Sequence, residues 1–382
     1  MNTTQEALNM PDPHKLDSLS TQDPESIKTE ENEDEYPVNS IEETVRHLAT
    51  VAKVEEIQPI PGCDNIEYVR IRRWMVIVKK ADNLKVGDLC VYCEVDSMLP
   101  KRPEFAFLAH CGYRIKTMKM RGVFSQGIVF PLSILPPRTE PYLERENLTQ
   151  LLGVRKYEPP EQGPGGRGRR NHHKKGDFPE FIPKTDEERI QNCWDDSFVR
   201  FKQYNPDATC DETKKLDGMS TTVYMYNGEY VVCSRNFKVK PGSLWYDHCA
   251  KLGMEQKIRS LGKNIAFQGE LVGPKCNGNA YKLKELALYF FSVFLIDEQK
   301  YMSYDEMISL CAQLGLQTVP ISNRNYTIPD NYDALIAKAD NSMSELNPSV
   351  HDEGMVYVFS TQYRRCRYSF KVISRNYELK KK

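Results

Sequence analysis

Apolar and polar positions alternate in short bursts along residues 47–131, and this pattern predicts strands over 49–57, 66–71, 75–79, 89–95 and 127–131. Turn-forming residues separate them, notably Pro59-Ile-Pro-Gly-Cys-Asp-Asn65 and Lys85-Val-Gly-Asp88. The period changes in the second half. Strands are expected over 221–226, 230–233, 265–271, 287–296, 355–360 and 367–373, with helices over 244–260, 304–314 and 332–341. Met307, Leu310, Cys311 and Leu314 recur at three and four residues and mark a buried helix face. Thr185 followed by Glu188 reads as a capping box and predicts a helix start there. The fold class is therefore α+β: a small barrel over 46–155, then a mixed α/β domain over 181–382.

Two segments lie outside this pattern. Residues 1–45 are acidic and polar, with the run Glu30-Glu-Asn-Glu-Asp-Glu35, and bury too little apolar surface to offset their ordering entropy. Residues 156–180 are expected to form a flexible basic linker, dense in Gly, Arg, His and Lys. His172 and His173 are adjacent, a poor chelate spacing, so a solvated insertion is favoured over an RNA contact.

Net charge is −1, so any surface for a polyanion must be local. Short, evenly spaced strands fit an OB-fold, the common nucleic-acid-binding barrel. Within it Tyr113-Arg-Ile-Lys-Thr-Met-Lys-Met-Arg121 gathers Arg114, Lys116, Lys119 and Arg121. A basic ribbon of this kind suits a phosphate backbone, and equally an ordinary solvated strand face. The 11 cysteines are scattered and expected to be reduced thiols. Cys90 and Cys93 form the one CxxC and read as strand packing, because no second pair completes a zinc set. No apolar run has transmembrane length and the first residues lack a signal-peptide pattern, so an intracellular site, cytoplasmic or nuclear, is expected without membrane contact.

The chemistry is concentrated around Lys215-Leu-Asp-Gly218, an amine two residues before a carboxylate, on a turn where Gly218 permits close backbone approach. Alone this tetrapeptide is far more readily a surface turn with a solvated lysine. Four stations follow it: Ser234-Arg-Asn236, Gln268-Gly-Glu-Leu271 with the aromatic run Tyr289-Phe-Phe-Ser-Val-Phe294, Asp352-Glu-Gly354, and Ser369-Phe-Lys-Val-Ile373. In this order and spacing they resemble the covalent nucleotidyltransferase superfamily of polynucleotide ligases and capping enzymes, whose catalytic domain is an ATP-grasp-like ligase fold. The barrel precedes the catalytic domain, and too few residues follow Lys371 for a C-terminal OB-fold. Together with Lys184-Thr-Asp-Glu-Glu-Arg-Ile-Gln191, Glu94-Val-Asp-Ser-Met-Leu-Pro100 and Arg121-Gly-Val-Phe-Ser-Gln-Gly127, that order resembles the ATP-dependent RNA ligases of the Deinococcus/Naegleria type.

The resemblance implies roles. Lys215 would be the adenylated nucleophile, Arg235 would contact phosphate and RNA, and Glu270 would bind the ribose hydroxyls. Phe294 or Phe291 would stack on adenine, Glu353 would serve the metal and the nucleophile, and Lys371 would hold the α-phosphate. ATP with Mg2+ or Mn2+ would be the cofactors, and RNA, including a nicked RNA/DNA duplex, the substrate. A single chain is the expected working unit. An alkylammonium is unreactive near neutral pH, so this chemistry requires neighbouring cations that favour the free amine. Two positions depart from the wider superfamily: Ile373 stands where a second lysine is common, and Ser220 where several RNA ligases carry Asn. The competing expectations are a GTP-dependent capping enzyme and a noncatalytic RNA-binding protein.

Overall fold

The computed structural model describes residues 47–157, 173–363 and 366–380, with the side chains of 361–363 and 366 left out. The acidic tail, most of the basic linker and His172 therefore lie outside the described residues.

In the N-terminal half, strands Ala49–Lys53, Leu89–Cys93 and Ile128–Pro131 form one antiparallel sheet. Glu56–Pro59, Ile66–Ile71 and Trp74–Lys79 form a second. The expected strand over 49–57 is thus two: the Val54 N–H still bonds the Asp88 carbonyl at 2.9 Å beside the first sheet, and the next N–H, of Glu55, bonds the Arg70 carbonyl of the second at 2.9 Å. Alternate residues of Leu89–Cys93 feed two cores. Val91 and Cys93 join Leu48, Phe105 and Phe130, while Cys90 and Tyr92 join Val69, Ile71 and Trp74. A strand buried on both faces explains the CxxC: the two thiols are buried and free, and burial pushes both up to about 12.

The C-terminal half has two sheets. One is eight-stranded, with Met219–Tyr226, Ile265–Val272 and Ala287–Leu295 adjacent at its centre. The other is five-stranded and orders Glu188–Arg189, Cys366–Ile373, Gly354–Tyr363, Cys210–Lys215 and Ile321–Tyr326. One face of the larger sheet is a core of Val223, Phe267, Phe290 and Val293, closed by Trp245, Cys249, Met307 and Cys311 from its helices. The smaller sheet packs Tyr357, Phe359 and Phe370 against Trp194, Phe198, Phe201 and Leu335.

Several expectations are corrected. No helix starts at Thr185: residues 184–187 carry no regular structure, Glu188–Arg189 is a strand, and the helical run begins at Ile190 with no side-chain cap. The segment is recruited elsewhere, since the Pro183 carbonyl accepts from Gln268 Nε2 at 2.8 Å and Glu187 accepts from Arg367 at 3.0 Å. The single helix expected over 244–260 is two, Leu244–Lys251 and Met254–Arg259, because Gly253 takes a left-handed φ of 65° between them. The ends of the expected linker are strands, Arg155–Lys156 and Lys174–Asp177. Among the described residues no helix is long and apolar enough to cross a membrane.

Candidate active site

Lys215 is the last residue of strand Cys210–Lys215, and Met219 is the first of Met219–Tyr226. The first strand belongs to the five-stranded sheet and the second to the eight-stranded one. Leu216-Asp217-Gly218 is therefore the crossing between the two sheets, and the lysine stands at their seam. The crossing is tight. A Cβ on Gly218 would overlap the Leu271 carbonyl oxygen and lie 2.8 Å from Val272 Cγ1, so only glycine lets the turn press against the neighbouring strand. Asp217 is buried and holds the turn: its N–H donates to the Tyr281 hydroxyl at 2.6 Å, and its carboxylate accepts from Asn277 at 3.1 Å and from the Tyr377 hydroxyl.

Across the seam, Lys215 pairs with Gly354 and Gly354 with Ile373. Lys215 Nζ donates to Glu353 Oε2 at 2.7 Å, with 27% of the lysine side chain and 12% of the glutamate exposed, so the amine is reachable and its partner is largely shielded. A Cβ on Gly354 would sit 2.9 Å from Ile373 Cα and overlap the Val372 carbonyl, which explains Glu-Gly at this register. The row Lys215–Gly354–Ile373 also shows what the Ile373 departure does: where a lysine would add a second cation, this chain places a buried apolar side chain.

On the larger sheet, Ser220, Glu270 and Tyr289 are paired across three strands and share the face turned toward the crossing. Glu270 is half-buried. Burial pushes its carboxyl up to about 8; Lys215 and Arg235 pull it back, while Glu353 and Asp217 add to the push. Near neutral pH Glu270 therefore holds its proton, and a cation bound beside Glu353 and Asp217 would release it.

Lys371 and Arg235 converge on a residue that the sequence motifs do not single out. Asp186 Oδ1 lies 3.2 Å from Lys371 Nζ, and its Oδ2 lies 2.9 Å from Arg235 Nη2 and also pairs with Lys156. Burial pushes the Asp186 carboxyl up, but the three cations outweigh it and hold the group far below the usual carboxylate range. The only sequence signal was its place in the Lys184–Gln191 stretch that carried the resemblance. Tyr281, Asn277 and Tyr377 had no signal at all, being single polar residues in ordinary surroundings.

The two aromatic candidates separate. Phe294 is 2% exposed, packed with Ile182, Tyr224 and Ala266 and edge-on to Tyr301 at 5.1 Å, so it has no ring face left for a base. Phe291 is the unpaired residue of a bulge opposite Gln268 and Gly269, half-buried against the cluster of Leu216, Val272 and Tyr281 beside the crossing.

The basic ribbon is likewise corrected. Only Met118–Met120 of that stretch is a strand. Arg114 is buried, paired with Asp96 at 2.7 Å and stacked on the Tyr157 ring at 3.6 Å, which makes it an internal cation rather than a surface contact. Lys119 and Arg121 are exposed, and Lys119 lies over the Phe124 ring. Lys116 is half-buried and lines a cleft together with Asp96, Arg114, Arg189, Glu353 and Tyr377.

Comparison with known proteins follows these lines. An OB-fold domain family matches residues 48–132 and an RNA ligase family matches residues 210–373, which defines the class as an OB module fused to a ligase domain. Comparison with curated proteins gave no match. Among solved structures, a Naegleria gruberi RNA ligase variant with ATP and Mn is 30% identical over 87% of this chain and 98% of its own, with a TM-score of 0.76. A second variant of that enzyme, with AMP and Mn, is 31% identical over 88% and 99% with a TM-score of 0.77. The enzyme with PPi is 31% identical over 88% and 99%, with a TM-score of 0.75. This chain belongs to the RNA ligase family.

Proposed function

We propose that this ligase uses ATP and a divalent cation to join a 5′-phosphate to a 3′-hydroxyl in RNA, through a Lys215-linked adenylate. The observation that carries the proposal is the placement of Lys215 at the seam of the two sheets, in contact with Glu353 and faced by Glu270. The Naegleria structures with ATP, AMP and PPi support the choice of nucleotide.

The free amine of Lys215 attacks the α-phosphorus. A P–N bond forms, the bond to the pyrophosphate oxygen breaks, and pyrophosphate leaves in line. An oxygen of the RNA 5′-phosphate then displaces the lysine, forming a pyrophosphate link to AMP. Finally the 3′-hydroxyl oxygen attacks the 5′-phosphorus and AMP departs. In this scheme Glu353 accepts a hydrogen bond from the lysine before attack and keeps the amine on the seam. Glu270 presents a carboxyl to the ribose hydroxyls, and Phe291, half-buried beside the crossing, offers an aromatic surface to the base. Lys371 and Arg235, now gathered on Asp186, are the phosphate-binding cations once the triphosphate competes for them.

The residues fit an oxygen-seeking ion. Glu353 and Asp217 push up the Glu270 carboxyl, a repulsion that a bound cation would relieve, and Glu353 is the one proposed to bind it. Among the described residues no three acidic, histidine or cysteine side chains are placed to hold an ion by themselves; Glu353 would share a Mg2+-like ion with the phosphate oxygens. When bound, such an ion neutralises charge developing on the α-phosphate.

The test is sealing of an end-labelled nicked duplex with RNA on the 3′-hydroxyl side. ATP-dependent conversion of the label to a phosphatase-resistant, full-length strand is expected. A purified, folded protein that retains the RNA but never seals it, with or without a bridging strand, would return the chain to the noncatalytic reading.

A further inference from the structure

The chemistry above uses nothing beyond Ile373, yet the last helix, Arg375–Lys380, touches the site directly. A helix of six residues has little stability of its own, so its order must come from its contacts. Ser374, just before it, donates its N–H to the Glu353 carbonyl at 2.9 Å and accepts at Oγ from the Tyr377 N–H at 3.2 Å. Arg375 is clamped by Asp340 at 2.7 Å and lies over the Phe124 ring at 4.5 Å. Tyr377 is 7% exposed and donates its hydroxyl to Asp217 Oδ2, two residues after the nucleophile. Glu378 reaches the N-terminal domain through Oε2, which accepts from Gln126 Nε2 at 3.0 Å and from the Thr117 hydroxyl, while Oε1 accepts from Arg189 of the C-terminal half at 2.7 Å. Successive residues on a helix point about 100° apart, so one turn can grip two bodies at once. Tyr377 and Glu378 do so.

We infer that this helix is a strut which transmits docking of the OB module to the nucleophile turn, with Tyr377 as the positioning residue that fixes Asp217 and Glu378 as the sensor of the module. The inference rests on the reading of Lys215 as nucleophile. A buried carboxylate needs its donors, and a hydrogen bond to a charged group is among the stronger ones. Without Tyr377 the Asp217 carboxylate keeps Asn277 on one oxygen and loses the phenol on the other, which frees the crossing that carries Lys215. Burial and the Glu353 and Asp217 carboxylates push the phenol far above its ordinary value, so it remains a donor at every working pH.

The test uses the full chain with Tyr377→Phe, Glu378→Gln, Gln126→Ala and the Tyr377→Phe/Glu378→Gln pair. Single-turnover formation of the lysyl adenylate is measured against ATP concentration, together with backbone amide exchange over residues 215–219. Tyr377→Phe is expected to slow adenylate formation by about tenfold or more while leaving the half-saturating ATP concentration unchanged. Glu378→Gln and Gln126→Ala are expected to slow it less, the pair to be no slower than Tyr377→Phe alone, and exchange at 215–219 to quicken in all four. Wild-type rates and exchange in the single variants, or losses that multiply in the pair, would overturn the strut. If the wild type itself forms no adenylate, the exchange data decide alone. Quickened exchange at 215–219 from Gln126→Ala, far from that turn, would keep the strut while the nucleophile reading falls, and unchanged exchange would sink the strut.

Discussion

Glu270 makes the electrostatics of the site measurable. Its carboxyl has an ordinary value of 4.5 and is pushed up to about 8 in the folded protein, by burial first, against the pull of Lys215 and with the push of Glu353 and Asp217. Between those two values the folded state holds a proton that the unfolded state has released. Stability from this group is therefore complete below about pH 4.5 and is lost as pH rises toward about 8. Each pH unit in that window costs at most about 1.4 kcal/mol, which sets a ceiling of about 5 kcal/mol. The charges of Lys215, Glu353 and Asp217 all act on this one proton, so the expected loss is well under the ceiling, about 1–3 kcal/mol. Glu270→Gln removes the titration and keeps the shape. Urea unfolding of both proteins, without nucleotide, at intervals from pH 5 to 8.5 measures the effect. The wild-type free energy should fall relative to the variant by about 1–3 kcal/mol across the range, giving the variant the flatter profile. Parallel profiles, or a wild type that gains on the variant with rising pH, would refute the argument.

Two further substitutions test the packing around this site and the surface assigned to RNA. Gly354→Ala forces a Cβ into the Val372 carbonyl and Ile373 Cα, both backbone, and should cost about 1–3 kcal/mol in urea unfolding. Arg114→Ala should cost about 1–3 kcal/mol by removing the shorter of two Asp96 ion pairs, with Arg189 at 3.5 Å remaining, and by emptying the Tyr157 ring face, as a thermal or urea midpoint will register. Lys119→Ala with Arg121→Ala should leave stability within about 0.5 kcal/mol and instead weaken RNA retention, with a shallower salt dependence.

Most of the strands were legible from composition: residues 66–71 and 89–95 announce themselves by β-branched and aromatic side chains, the second although it is buried on both faces. Lys215, Glu270, Glu353 and Lys371 were legible as spaced motifs. Strand Cys210–Lys215, which delivers the nucleophile, was not. Its buried positions include Asp211, Glu212 and Thr213, a pattern that reads as solvated chain. It folds inward because Arg324 neutralises Asp211 and Lys338 neutralises Glu212, from more than 100 residues away. The same long-range pairing hid Asp186, whose local sequence suggested a helix cap, and turned Arg114 from a surface ribbon into an internal ion pair. Phe294 and Phe291 were indistinguishable in sequence, since the bulge at Phe291 itself decides which one lies beside the crossing. In each case the deciding partner is distant in the chain, where local periodicity carries no information.

The most direct measurement is adenylate transfer to the protein itself. Folded protein freed of bound nucleotide is incubated with α-phosphate-labelled ATP or GTP and Mg2+ or Mn2+, denatured and resolved on a gel, beside Lys215→Ala. Label from ATP on the wild type, acid-labile as a phosphoramidate and missing from the variant, is the predicted result. Label from GTP, label that survives Lys215→Ala, or no label with either nucleotide would contradict the assignment of Lys215 as the adenylated nucleophile.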